Sequence, residues 1–289
     1  MSRIPETQYD YDIDKLVSAF KQALQKVRNE LNRLEIDGMR RAIVLTTIRK
    51  IERILADLVD ESDSWIKENI PKAAADGVVK TLIALEIVDT MEEAIKVLKF
   101  SKISENMVVA AITDTQADIL AVTQNVERKV RAAIRKAYAD SVRENMAAGI
   151  NGRRTISRDA LDRMRQELGK SLDSGIIDAA GRRWRPDTYV EMLTRTKMMN
   201  TYREATTISA LERDAQYAVI SRHGATDACS NWEGKIIKLT AEAPGPYPTY
   251  DQLRATKEIF HPHCKHTFTP IRSARRYEDG EDGEDDLDE

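Results

Sequence analysis

The chain is 289 residues long, 42% hydrophobic and 32% charged, with 12 Gly, 8 Pro and 4 Phe, proportions that support packed cores built from amphipathic helices. No window approaches the roughly 18 apolar residues of a membrane span, and the start "MSRIPETQYDYDID" is polar and unlike a secretory signal; a soluble, cytosolically made chain without membrane contact is expected. The formal charge of −3 hides an asymmetry: the tail "EDGEDGEDDLDE" from Glu278 carries nine carboxylates, so the remainder is basic at +6.

Taken in chain order, Ile13, Leu16, Val17, Phe20, Leu24, Val27, Leu31 and Leu34 keep an apolar stripe at helical spacing, and the spacing predicts a helix from Tyr11 to near Asp37-Gly38. A second stripe, Ile43, Ile48, Ile51, Ile54, Leu55 and Leu58, follows so closely that an antiparallel hairpin is expected. Thr90 with Glu93 forms a capping-box pattern at the start of "MEEAIKVLKF". From Glu105 to Ala148 there is neither Pro nor Gly. Val108, Ile112, Ile119, Val122, Val126, Val130, Ala133, Ala137 and Ser141 there run close to an 11-residue repeat, which predicts one very long helix or two end to end.

"GINGRRTISRD" breaks that helix, with Ser157 as the expected cap of a helix through about Leu172. "GRRWRPD" is a second basic joint, with Asp187 the expected cap of a helix from about Thr188 to Asp214. Arg153, Arg154, Arg182, Arg183 and Arg185 are candidate nucleic-acid contacts, since arginine interleaved with an aromatic can grip a phosphate backbone; a solvated loop explains them equally. Beyond, "QYAVISRHG", "KIIKL" and "HTFTPI" read as strands, the last ended by Pro270, and "APGPYPTY" as a loop. The fold class is mainly α with a small C-terminal α+β module, long antiparallel helices followed by a few short strands. Four stretches are expected: an elongated helical region over 1–150, a basic helical connector over 151–187, the α+β module over 188–272, and a disordered acidic tail over 273–289.

Three of the four histidines and one of the two cysteines fall between His261 and His266, in "FHPHCKHTF". Two cysteines are too few for a disulfide framework in a cytosolic chain, so Cys229 and Cys264 are thiols or ligands. Strand pairing could gather Cys229, His261, Cys264 and His266 into a structural zinc site that closes the loops of a small module, although only one half has short ligand spacing. A loop whose polar side chains bond locally is the other reading. No zinc-deaminase signature is present. A metal nuclease of the His-Asn-His kind could use "FHPHCKH" with His223, which keeps a metal-dependent nuclease or toxin-like enzyme, through His261, His263, Cys264 and His266, as the alternative to a non-enzyme.

"TRTKMMNTYREAT", "ISRHGATDACSNWEGKIIKLT", "YPTY" and "FHPHCKHTFTPI", in that order over about residues 188–272, resemble the C-terminal signature of phage minor capsid proteins related to the Mu F-like head morphogenesis proteins. The matching positions are Arg195 and Thr196, Cys229, Trp232 and Gly234, Tyr247 and Pro248, and His261, Pro262, Cys264, Lys265 and His266; Lys197 stands where the family pattern often has an acidic residue. The resemblance implies a non-enzymatic virion component at the portal vertex, made in the host cytoplasm. It would aid procapsid assembly beside the portal protein or major capsid protein and contact packaged double-stranded DNA for its delivery. It attaches no catalysis to the module.

Overall fold

A computed structural model describes residues 9–33, 41–149, 153–173, 175–178 and 180–278. The expectations for Leu34 to Gly38 and for the acidic tail beyond Glu278 lie outside the described residues. Helices α1 (Asp10–Asn32), α2 (Arg41–Ala84), α3 (Met91–Val97), α4 (Lys102–Ala147), α5 (Arg153–Asp173) and α6 (Pro186–Leu211) carry most of the chain. The short strands β1 (Ile176–Ile177), β2 (Arg183–Trp184), β3 (Tyr217–Ile220), β4 (Ile236–Lys238) and β5 (Phe268–Ile271), with the small helices α7 (Tyr250–Thr256) and α8 (Ala274–Glu278), complete it. The mainly α fold with a small C-terminal α+β part is the one its hydrophobic periodicities predict. The chain forms two compact units, each assembled from separated segments: 10–66 with 115–191, and 67–114 with 192 onward.

In the unit of 10–66 and 115–191, the neighbours run antiparallel. Trp65 donates its indole N–H to Asp12 O at 2.8 Å, while Lys50 pairs with Glu30 at 3.1 Å, so the far end of one helix meets the near end of the other. Glu52 bonds Arg131 and Asp63 bonds Gln116, which gives α2 and α4 the same opposed sense. Arg163 grips Glu144 at 2.6 Å and Lys136 meets Glu167 at 3.7 Å, so α4 and α5 are opposed too. Leu24, Val27, Leu31, Ile51, Leu55, Val126, Val130, Ala133, Ala137, Leu161 and Met164 share one core. The 11-residue repeat of α4 is its buried stripe: Ile119, Val130 and Ser141 are buried in this unit, and Val108 in the core of the other.

Two cap expectations are corrected here. Helix α5 begins at Arg153, so Ser157 lies inside it, because arginine is a good helix former and nothing in "RRTI" forces a later start. Helix α6 begins at Pro186, whose fixed φ suits the first helical position, so Asp187 is inside the first turn and its carboxylate accepts from Arg185 Nε at 3.2 Å. Before α6, β1 and β2 pair antiparallel, and the Asp178 carboxylate closes the turn, accepting from the Ala180 and Arg182 amides, Arg182 Nε and Trp184 Nε1. Those donors, the Trp184 indole foremost, hold Asp178 down at about 2.

In the other unit, α3 is capped by Thr90, whose side chain accepts from Glu93 N; the Glu93 carboxylate takes Asp89 N, one residue short of the reciprocal box expected. Gly77 of α2 meets α6 so closely that a Cβ there would overlap Tyr202 O and Thr206 Oγ1. The three strands form one antiparallel sheet in the order β4-β3-β5, with Val219 opposite both Ile236 and Thr269. Pro270 does not end the last strand: it sits within β5 opposite Ala218, tolerated because β5 is an edge strand that needs no amide donor on its outer side. Ile220, Ile237, Leu253, Ile259, Phe260 and Phe268 pack beneath the sheet with Cys229 and Cys264.

Candidate functional site

Two loops bring the sulfur and imidazole groups together. The first leaves β3 and makes a 3-10 turn, Ala228–Trp232, capped by Asp227, whose Oδ1 accepts from Cys229 N at 3.0 Å. It returns to β4 through Gly234 at φ 73, where a side chain would collide with the Arg222 guanidinium. The second follows α7 and turns sharply, with Lys257, Phe260 and His263 all at positive φ, before Cys264 N closes on His261 O at 2.9 Å and the chain enters β5.

Arg203 of α6 holds this second loop from beneath. Its guanidinium is fully buried, donating from Nε to His266 O at 2.8 Å, from Nη2 to Cys264 O at 2.9 Å and from Nη1 to Asn200 Oδ1 at 3.1 Å, over the Phe260 ring. Burial pulls its pKa below the usual arginine value. An arginine has no acceptor of its own, so three satisfied donors inside the core are a device for fixing carbonyls, which a lysine could only partly copy.

Cys229, His261 and Cys264 present donor atoms within 4.8 Å of one another. Cys229 Sγ lies 3.1 Å from His261 Nε2 and 3.9 Å from Cys264 Sγ; both thiols are free and buried. Cys264 Sγ in turn lies 3.4 Å from His266 Nδ1. His266 also belongs to a second group with His223 and Glu233, its Nε2 3.1 Å from Glu233 Oε1 and its ring 4.0 Å from that of His223. His263 points its backbone amide at Thr196 Oγ1 at 3.4 Å, and its donor atoms join neither group.

The electrostatics follow from burial and hydrogen bonds. Burial first, and the neighbouring Cys264 thiol next, push Cys229 up to about 12. Partial burial works against ionising Glu233, yet the amides of Ala225 and His223 and the His266 imidazole outweigh it and hold the carboxyl at about 2. Burial, then the adjacent His223, lowers His266. The Cys229 thiol is thus a poor nucleophile on its own, because the thiolate is the reactive form.

The remaining residues singled out in the sequence have local structural places. Thr196 donates to Met192 O at 2.7 Å and Arg195 is half-buried on α6. Trp232 donates to Glu258 Oε2 at 3.2 Å, and Pro262 offers its carbonyl to His261 Nδ1 at 2.7 Å. Lys197 bonds Asp114. Among the arginines, Arg182, Arg183 and Arg185 are exposed, Arg182 paired with Asp178 and Arg185 with Asp187, and the side chains of Arg153 and Arg154 lie outside the described residues. Sequence reasoning missed Arg203, Glu233 and Asp227. Arg203 shares α6 with Glu191, Arg195, Lys197 and Glu204, so its charge did not stand out, and neither carboxylate carries a spacing pattern that announces it.

A family model described as phage minor capsid protein 2 matches residues 17–274. No curated protein and no solved structure matches the chain.

Proposed function

The chain belongs to the phage minor capsid protein 2 family, a structural component of the phage head, and from that premise we propose that it acts at the portal vertex during procapsid assembly. The single observation that carries this reading is that the family match spans both the helical segments and the sheet with its cysteine and histidine loops, so the head role belongs to the whole chain. The long opposed helices offer docking faces toward portal protein or major capsid protein. The basic segments at Arg153-Arg154 and Arg182-Arg183-Trp184-Arg185 face packaged DNA in this reading, with Arg182, Arg183 and Arg185 all exposed.

The arrangement of the imidazoles favours architecture over turnover. The ring nitrogens of His261 and His266 are directed at thiols, a carbonyl and a carboxylate of the same two loops. The experiment is assembly of procapsids in cells expressing major capsid protein and this chain, with and without portal protein. Co-purification of the chain with particles that requires portal protein supports the vertex assignment; equal incorporation without portal protein overturns it. Metal-dependent cleavage of DNA by the purified chain, abolished in His261→Ala, would overturn the non-enzymatic role.

A further inference from the structure

The two imidazoles beside the thiols have fixed tautomers, and both leave the same kind of atom facing sulfur. His261 Nδ1 lies 2.7 Å from Pro262 O, an atom that can only accept, so Nδ1 carries the proton and Nε2 presents its lone pair to Cys229 Sγ at 3.1 Å. His266 Nε2 lies 3.1 Å from Glu233 Oε1, which already accepts the amides of His223 and Ala225; Nε2 therefore carries the proton, and Nδ1 presents its lone pair to Cys264 Sγ at 3.4 Å. Histidines that bind metal donate their other N–H to a carbonyl or carboxylate in this way.

We propose that Cys229, Cys264, His261 through Nε2 and His266 through Nδ1 bind one zinc ion that ties the 3-10 turn to the loop entering β5. The separations among Cys229, His261 and Cys264, and from Cys264 to His266, fit. Zn–S bonds of about 2.3 Å and Zn–N bonds of about 2.0 Å in a tetrahedron place sulfurs about 3.8 Å apart and sulfur about 3.5 Å from nitrogen. The observed values are 3.9 Å between sulfurs and 3.1 and 3.4 Å from sulfur to nitrogen. The sulfur separation is far beyond the roughly 2.05 Å of a disulfide. His266 Nδ1 adjoins Cys264 Sγ but stands outside the close group of Cys229, His261 and Cys264, so closing the tetrahedron requires that ring to move inward. Asp227, whose Oδ2 is 3.5 Å from His261 Nε2, is the competing fourth donor; it is half-exposed, whereas His266 is buried and braced by Glu233. On binding, each thiol releases its proton to solvent and each sulfur forms one bond to the dication, leaving a neutral centre.

The test uses the full chain purified without a histidine tag and loaded with zinc alone. Metal analysis should give one zinc per chain, and X-ray absorption at the zinc edge should give two sulfurs and two imidazole nitrogens. Both thiols should resist a thiol reagent until a chelator removes the metal. The double variant Cys229→Ser/Cys264→Ser should bind none, and Asp227→Asn should keep full occupancy. Zinc content equal to that of the double variant overturns the proposal, as does an intact mass short by two hydrogen atoms, which means a disulfide. A shell of two sulfurs, one imidazole and one carboxylate overturns the choice of His266. Because absorption is read on the unmodified protein, the outcome stands even if a variant fails to fold.

Discussion

Arg203 donates from Nη2 to the carbonyl oxygen of Cys264 at 2.9 Å, so a fully buried guanidinium on α6 positions one of the two thiols through its own backbone. The same side chain takes His266 O, which makes it the common anchor of the second loop. Arg203→Ala should cost about 3 kcal/mol in urea denaturation, because two buried carbonyls lose their donors. Arg203→Lys, with a single point of donation, should fall between the two. Equal midpoints for wild type and Arg203→Ala would show that the carbonyls find other partners.

At Gly77 α2 passes close against α6, with the Tyr202 carbonyl where a Cβ would stand. Gly77→Ala ought to raise helix propensity by about 1 kcal/mol in isolation, yet here it should lower the thermal midpoint, because backbone cannot yield as a flexible side-chain end can. Thr81 Oγ1 and Thr206 Oγ1 both aim at Gly77 O, so the separation would also loosen those bonds. A midpoint at or above that of wild type would contradict the packing.

Glu233 is depressed to about 2 from an ordinary 4.5, with burial opposing and the Ala225, His223 and His266 donors prevailing. A carboxyl depressed on folding stabilises the protein above its unfolded pKa and loses that contribution as pH falls through the folded one. Wild type should therefore lose stability between about pH 4.5 and about pH 2 more steeply than Glu233→Gln, read from denaturation midpoints across that window. Parallel profiles would remove Glu233 from the network.

In the basic joint at 182–185 all three arginines are exposed, with Arg182 paired to Asp178 and Arg185 to Asp187. If the joint grips DNA, Arg183→Ala should weaken binding alike for all sequences and reduce the slope of log affinity against log salt by about 1. Asp178→Asn should release Arg182 and strengthen binding. A salt titration unchanged in both variants would remove DNA contact from this segment.

Helices and their buried faces were legible because burial in a helical bundle repeats with the helical period. Val108, Ile119, Val130 and Ser141 recur every 11 residues and all end up buried. Ends were less legible. Ser157 and Asp187 have the chemistry of caps, but whether a helix starts a turn earlier depends on what its first residues pack against or on a proline that fixes φ. The two strands flanking "ATDACSNWEG" and the edge strand "FTPI" followed from β-branched runs.

By itself the sequence determined the helical class, the opposed hairpin of α1 and α2, the small C-terminal sheet, and the concentration of sulfur and imidazole in two short loops, all properties of local spacing. Only the tertiary structure decided that Cys229 and Cys264 stand 3.9 Å apart, that a buried Arg203 sets the loop carrying one of them, and that Glu233 braces His266. Those relations join residues tens of positions apart through the pairing of β3 with β4 and β5, and a contact made by strand register leaves no periodic trace in the chain.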